Sequence, residues 1–286
     1  MSEFLSQELG SCDVVRVEKS PISKNKCDLT PLEGKSWRVS VSSRGKEMML
    51  KFRNGEETLS MKVGFARIGY IEKVPISKID TLYLDKRGML RLYTASDVYF
   101  VSDFTRYVIW RWAEDWDTRR SPDVLTEHND WRDHLYKNRK IVFFNQPILE
   151  ILVDQRFFNG IGTFARSEIL ARTRFSPFTN FREVLESDLM RDDFFVTCRE
   201  TLDDIYRHGG LQFEHWKNPF GVSKRNFNRW VRCYNKMGKA FFLRDSSGRK
   251  FWFEKKWVPD YINWVKTNEV QDTRLLEKIY RKTKRK

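Results

Sequence analysis

Apolar and polar residues alternate with a period of two through much of residues 14–110. Trp37, Val39 and Val41 alternate with polar neighbours, Ser42-Ser43-Arg44-Gly45 supplies turn chemistry, and Met48, Leu50 and Phe52 resume the alternation. The pattern predicts an antiparallel hairpin with Lys46 near its tip, because successive side chains of a strand point to opposite faces. A second hairpin is predicted through Leu90, Leu92 and Tyr93, a turn at Ala95-Ser96-Asp97, and a return through Val98, Phe100 and Val101. Short strands separated by turn signals package as an antiparallel sandwich or barrel.

From about residue 112 the period changes. Trp112, Trp116 and the segment from Trp131 to Tyr136 read as helical. Asn145-Gln146-Pro147 reads as a helix start, with Asn145 as cap, Pro147 in the first turn, and Ile148, Ile151 and Leu152 on one face. Asn159-Gly160-Ile161-Gly162 ends that helix. Thr163 is placed to cap the next, which runs through Phe164, Ile169 and Leu170 until Ser176-Pro177 stops it. The start of such a helix offers backbone N–H groups to a phosphate, while a Gly-x-Gly turn serves equally to join two helices. Further on, Ala240–Arg244 and Arg249–Phe253 are β-rich runs joined by Asp245-Ser246-Ser247-Gly248, a third hairpin.

Composition adds a partner to this outline. The chain of 286 residues is 40% hydrophobic and carries a formal net charge of +14, so it can bury a core and favours a polyanion. The excess is not spread evenly. Residues 1–216 hold equal numbers of acidic and basic side chains, whereas residues 217–256 hold 12 basic residues against only Asp245 and Glu254. Basic residues interleaved with Trp216, Phe220, Phe227, Trp230, Tyr234 and Phe242 suit a nucleic-acid-binding element, or a solvated basic face over an aromatic core. The terminal KIYRKTKRK adds a further basic cluster. No apolar run is long enough to span a bilayer, and the first residues lack a secretory pattern. Cys12, Cys27, Cys198 and Cys233 form no CxxC pair, which argues against a disulfide framework or a structural zinc site.

Three segments carry a resemblance. VDQRFFNGIGTFARSEILARTRFSPF (153–178) resembles the helix–two-turn–helix of the formamidopyrimidine-DNA glycosylase/endonuclease VIII family. WVRCYNKMGKAFFLRDSSGRKFWF (230–253) resembles its C-terminal finger, in the zincless form of the animal Nei-like glycosylases. VEKSPIS (17–23) and VSVSSRGKEMML (39–50) resemble its N-terminal β-sandwich. The resemblance implies an α+β, multidomain chain: a β-sandwich over 1–115, a helix–two-turn–helix domain over 116–225, a zincless finger β-hairpin over 226–258 and a basic tail over 259–286. It implies base-excision repair in the nucleus by a monomer acting on double-stranded or damaged DNA, with no cofactor, metal or membrane. Such an enzyme is a DNA glycosylase and AP lyase, removing oxidised bases by base flipping and a Schiff-base intermediate followed by strand elimination.

Residue by residue, Ser2 and Glu3 stand at the family's nucleophile and proton-handling positions, Lys46 at its hairpin lysine, and Arg249 at its finger arginine. Asn159, Gly160, Gly162 and Thr163 match the phosphate-contacting turn. Phe65, Arg106 and Tyr107 match the wedges that fill the gap left by a flipped base. Two positions depart from the family. The start is Met1-Ser2-Glu3-Phe4 where the family has Met-Pro-Glu-Gly, with a shorter stretch before VEKS that predicts a curtailed first helix, and Thr163 replaces an asparagine. Three readings of that start stay open: a Ser2 amine as nucleophile, a start other than the one given, or a catalytically impaired DNA-binding homologue.

Overall fold

The computed structural model describes residues 2–65, 69–79, 88–103, 107–208 and 224–267. Their contacts divide into two compact units, one ending at Thr118 and the other beginning at Arg119.

The first unit opens with helix α1 (Ser2–Gly10), followed by β1 (Asp13–Val14), β2 (Arg16–Lys19), β3 (Trp37–Arg44), β4 (Glu47–Asn54), β5 (Glu57–Phe65), β6 (Gly69–Pro75), β7 (Leu90–Tyr93), β8 (Asp97–Asp103) and β9 (Val108–Trp112). The strands form two antiparallel sheets, in the orders β1-β3-β4-β5-β9 and β2-β7-β8-β6. Val39, Val41, Leu50, Phe52, Met61 and Val63 from the first sheet meet Val17, Ile71, Leu90, Leu92 and Val101 from the second in one buried core. The predicted alternation is thus the inner face of a sandwich.

Helix α1 is not curtailed to nothing: it runs nine residues and buries Leu5 and Leu9, which fall on one face at a spacing of four. Glu8 ties it to the second sheet, its Oε2 lying 2.5 Å from Lys73 Nζ and accepting from Tyr99 O–H at 3.1 Å.

Two details of the strand region correct the sequence reading. Ser42, Ser43 and Arg44 belong to β3, paired with Met49, Met48 and Glu47, so the turn is Gly45-Lys46. Gly45 takes φ of 59°, the left-handed backbone that a two-residue hairpin loop requires and that glycine adopts without steric cost. Trp112 ends a strand and Trp116 lies outside any helix, because the edge strand β9 continues two residues beyond the buried Trp110.

The second unit contains α2 (His128–Lys137), α3 (Ile148–Ile151), α4 (Thr163–Leu170), α5 (Phe181–Glu186), α6 (Asp188–Arg207), α7 (Lys224–Trp230), the hairpin β10 (Ala240–Arg244) and β11 (Lys250–Glu254), and α8 (Val258–Thr267). Its core is aromatic. Trp131 lies edge-on to Phe195 at 5.3 Å, and Phe144, Phe158 and Phe194 surround Phe181 at 4.9 to 5.4 Å. Such tilted and edge-on pairs suit the ring quadrupoles.

The helix predicted from Asn145 is a single turn, α3. A 3-10 turn occupies Val142–Asn145, and the cap is Pro147 with no side-chain hydrogen bond. Ile148, Leu149, Ile151 and Leu152 are all buried, so no polar face exists to prolong a surface helix. Thr163 is the first residue of α4 rather than its cap, which is the extended Gly162.

Burial lowers the His128 pKa below its ordinary value, against the Nδ1–H bond to the Val124 carbonyl at 3.0 Å, which acts in the opposite direction. A depressed histidine favours folding while neutral, and that contribution is lost as pH falls below about 6.5, its unfolded value. Urea midpoints measured from pH 8 to pH 5 are therefore expected to drop further for the natural protein than for His128→Gln; parallel curves would exclude this role.

Candidate nucleic-acid interface

In the first unit, four of the sequence-predicted residues gather at one end of the five-stranded sheet. Arg44 pairs with Glu47, which leaves Gly45 and Lys46 as the whole loop and puts Lys46 at the tip. The head of α1 lies alongside: Ser2 Oγ donates to Ser43 Oγ at 2.9 Å. On the next strand Glu47 pairs with Gly64, so Phe65 falls at the same end of the sheet as Lys46. Phe65 in turn pairs with Val108, whose neighbour Tyr107 is 55% exposed. The Phe65 ring covers Gly69 so closely that no Cβ would fit there, which is why the strand after it begins with glycine. Arg106 and the Glu3 side chain lie outside the described residues.

Behind the tip sits a pair that the sequence reading did not single out. Lys62 Nζ lies 3.0 Å from Glu47 Oε1, both side chains almost wholly buried, and Glu47 Oε2 accepts the Asp117 N–H at 3.3 Å. A buried carboxylate needs such partners, since desolvating it alone costs several kcal/mol.

In the second unit, the Gly-x-Gly segment is a compact turn. Asn159 is fully buried and its amide serves the turn itself, donating from Nδ2 to the Ser121 carbonyl at 3.2 Å. The Gly160 N–H donates to Gln155 Oε1 at 3.1 Å, and Gly160 takes φ of 103°, a backbone that side chains resist. No side chain caps α4, whose first residues are Thr163 and Phe164.

The finger hairpin is fused to this unit. Phe251 and Phe253 enter the helical core, while Trp252, between them, packs with Cys233, Ala171 and Ala240 on the other face. Arg249 belongs to the turn, not to β11. It is 46% side-chain exposed, with Nη2 3.0 Å from Ser247 Oγ. It also acts on the helical turn. Burial would raise the Asp154 carboxyl, but hydrogen bonds from Arg156 and the charges of Arg156 and Arg249 outweigh it and hold the group below its usual range.

Two charged residues of α4 connect these parts, and neither was singled out in the sequence. Arg166 Nη1 donates to Asp245 Oδ2 and to the Leu149 carbonyl, each at 2.7 Å, and Nη2 to the Lys250 carbonyl at 3.2 Å. Glu168 accepts three successive backbone N–H groups, from Arg232 at 2.8 Å, Cys233 at 2.9 Å and Tyr234 at 2.7 Å, while Arg172 Nη1 lies 2.6 Å from its Oε2. The signal was a pair of charges two apart inside Phe164-Ala165-Arg166-Ser167-Glu168-Ile169-Leu170, where both faces of the helix are buried. Burial, together with the Glu168 charge, pushes the Cys233 thiol well up, so it is not a thiolate. Among the described residues, no group of three or more His, Cys, Asp or Glu could hold a metal, and no helix is long and apolar enough to cross a membrane.

Removing the Glu168 charge strands Arg172 and leaves three amides without a full acceptor. Glu168→Gln is expected to destabilise the unit by about 3–5 kcal/mol. Urea unfolding followed by tryptophan fluorescence measures this; an unchanged midpoint would mean the clip holds nothing.

No family model matches the sequence. The chain is 32% identical over 269 residues to human Endonuclease 8-like 1 and 31% identical over 269 residues to the mouse protein of that name. In each case the match takes in 83% of this chain and 66% of the relative, so the chain spans less than the relatives' full length. A solved complex between the Lactococcus lactis Fpg and an abasic site containing DNA superposes with a TM-score of 0.68 at 16% identity, over 88% of this chain and 94% of that one. With the sandwich, the helix–turn–helix segment and the finger hairpin in the same chain order, the protein belongs to the formamidopyrimidine-DNA glycosylase/endonuclease VIII family.

Proposed function

We propose that this protein is a DNA glycosylase and AP lyase of base-excision repair that acts on oxidised bases in the nucleus as a monomer. The observation that carries this reading is the gathering of the α1 head, Lys46, Phe65 and Tyr107 at one end of one sheet. A nucleotide flipped from the stack leaves a gap that Phe65 and Tyr107 fill, and its sugar is delivered to the amines of Ser2 and Lys46.

On this reading Met1 is removed and the Ser2 amine attacks the sugar C1′. The bond from C1′ to the base breaks and the base leaves; the sugar ring then opens as the C1′–O4′ bond breaks, O4′ takes a proton and the nitrogen loses one, which gives a Schiff base. Glu3 moves the proton at the sugar oxygen. Loss of a C2′ proton then expels the 3′ phosphate and cuts the strand. Lys46, a primary amine on a two-residue loop, assists base departure and holds phosphate. Arg249 grips the phosphates beside the lesion, and the Gly160–Thr163 turn offers the α4 N-terminus to the backbone, with the Thr163 hydroxyl in place of the family's amide. On this reading the finger needs no zinc, because Trp252, Cys233, Ala171 and Ala240 pack together as its core.

The departure at the start favours one other reading, a homologue that binds damaged DNA without cutting it. Borohydride trapping separates the two. The full chain, incubated with a duplex carrying one abasic site and then reduced, is expected to give a covalent adduct whose peptide maps to Ser2. The adduct should fall at least tenfold in Lys46→Ala and vanish when residues are appended before Ser2. Binding with no adduct from a chain whose first residue is Ser2 would overturn the cutting reading for that chain and favour the non-cutting homologue.

A further inference from the structure

We propose that Asp245, held by Arg166, is a positioning residue for Arg249, so that the finger's phosphate contact is set from the interior of the helical unit. This inference rests on the DNA-binding reading above and concerns only how Arg249 is aimed.

Arg249 is the last residue of a five-residue turn whose backbone converges on one carboxylate. Asp245 Oδ1 accepts the Ser247 N–H at 3.0 Å and the Arg249 N–H at 2.8 Å. The Asp245 N–H donates to the Arg249 carbonyl at 2.9 Å, and the Gly248 N–H to the Asp245 carbonyl at 2.8 Å. Ser246 N–H, the remaining donor of the turn, reaches Glu150 Oε2 at 2.9 Å. Every backbone donor of Asp245–Arg249 is therefore committed, and the turn is a rigid mount.

A carboxylate with two oxygens can rotate unless both are engaged. Here the second, Oδ2, faces Arg166 Nη1 at 2.7 Å, with both side chains essentially buried. Arg166 is itself fixed by the Leu149 and Lys250 carbonyls and lies over the Phe251 ring at 5.3 Å. The Arg249 Nε lies 3.5 Å from Oδ2, too long for a strong hydrogen bond but short enough to orient the guanidinium. Arg166 satisfies the buried charge of Asp245, and this leaves the Arg249 side chain 46% exposed, with Nη2 on Ser247 Oγ. An aspartate without Arg166 would take Arg249 as its partner and draw the guanidinium inward. A fork held in this way meets a phosphate with its geometry already set.

The test compares the natural protein with Asp245→Asn, Arg249→Ala and their combination, using a fluorescein-labelled duplex with one abasic-site analogue. Affinity is measured across salt concentrations and melting temperature for each variant. One lost phosphate contact lowers the slope of log affinity against log salt by about 0.9. Asp245→Asn is expected to lower it by the same amount as Arg249→Ala, and the combination to lower it no further. Because a lone buried Arg166 could unfold the unit, Arg166→Met with Asp245→Asn removes both charges together while the asparagine Oδ1 still accepts the Ser247 and Arg249 amides; it is expected to remain folded and bind with the Arg249→Ala slope. Natural slopes in Asp245→Asn or in the folded double replacement, with Arg249→Ala reduced, would overturn the positioning role and leave the DNA-binding reading intact. An additive further loss in the combination would also overturn it. No salt-dependent binding by the natural protein would overturn the DNA-binding reading, and this inference with it.

Discussion

The second unit depends on one short helix that carries two opposite charges into its interior. Arg166 and Glu168 are fully buried on α4, and each is engaged with a segment far along the chain. Glu168 gathers the amides of 232–234, where the chain leaves α7 and enters the finger, while Arg166 holds Asp245 and the Lys250 carbonyl at the hairpin turn. Burying either charge without its partners would cost several kcal/mol. The arrangement therefore exists only when the finger is docked, which makes docking cooperative with the helical fold. A purely apolar contact of the same area would allow the hairpin to slide; two directional charge clusters, one at each end, do not.

The first unit solves a related problem with different means. On the proposed reading one end of its sheet must hold the head of α1, the Lys46 loop and the ends of β5 and β9 in one place. Leu5 and Leu9 anchor the helix, the Glu8 contacts with Lys73 and Tyr99 fix its lower end, and Ser2 meets Ser43. The loop is the shortest that a hairpin permits, so Lys46 has little backbone freedom to lose on meeting a ligand.

What the sequence made legible follows from how local each signal is. Period-two alternation depends on neighbours along the strand, and it located β4, β7 and β8 within two residues and β3 apart from its last three. Lys46 and Arg249 were visible because each stands next to a glycine-bearing turn. The errors arose where burial on all sides erased the pattern: Ile148–Leu152 reads as one face of a long helix but is a single buried turn, and Trp112 reads as helical but closes an edge strand. Ser42-Ser43-Arg44 looks like a turn by composition, yet the ladder to Glu47–Met49 satisfies its backbone and leaves the bend to Gly45. Arg166, Glu168 and Asp245 were illegible for another reason. Their partners lie about 60 to 80 residues away in sequence, and a charge inside an apolar helix announces burial without naming what neutralises it.

The net charge takes on a different meaning in this light. The excess of basic residues over 217–256 includes only two acids, and Asp245 is one of them. A solvated basic face would place that acid at random among its neighbours, where it would weaken the local field. Instead it is buried and bound to an arginine from outside the block, so its charge is spent inward. The same arrangement stands behind Lys46, where the adjacent Glu47 is buried against Lys62. In both hairpins the carboxylate nearest the exposed cation is buried and neutralised from within the unit. On the proposed DNA-binding reading, bulk charge attracts the polyanion and these two inward pairs set where Lys46 and Arg249 meet it.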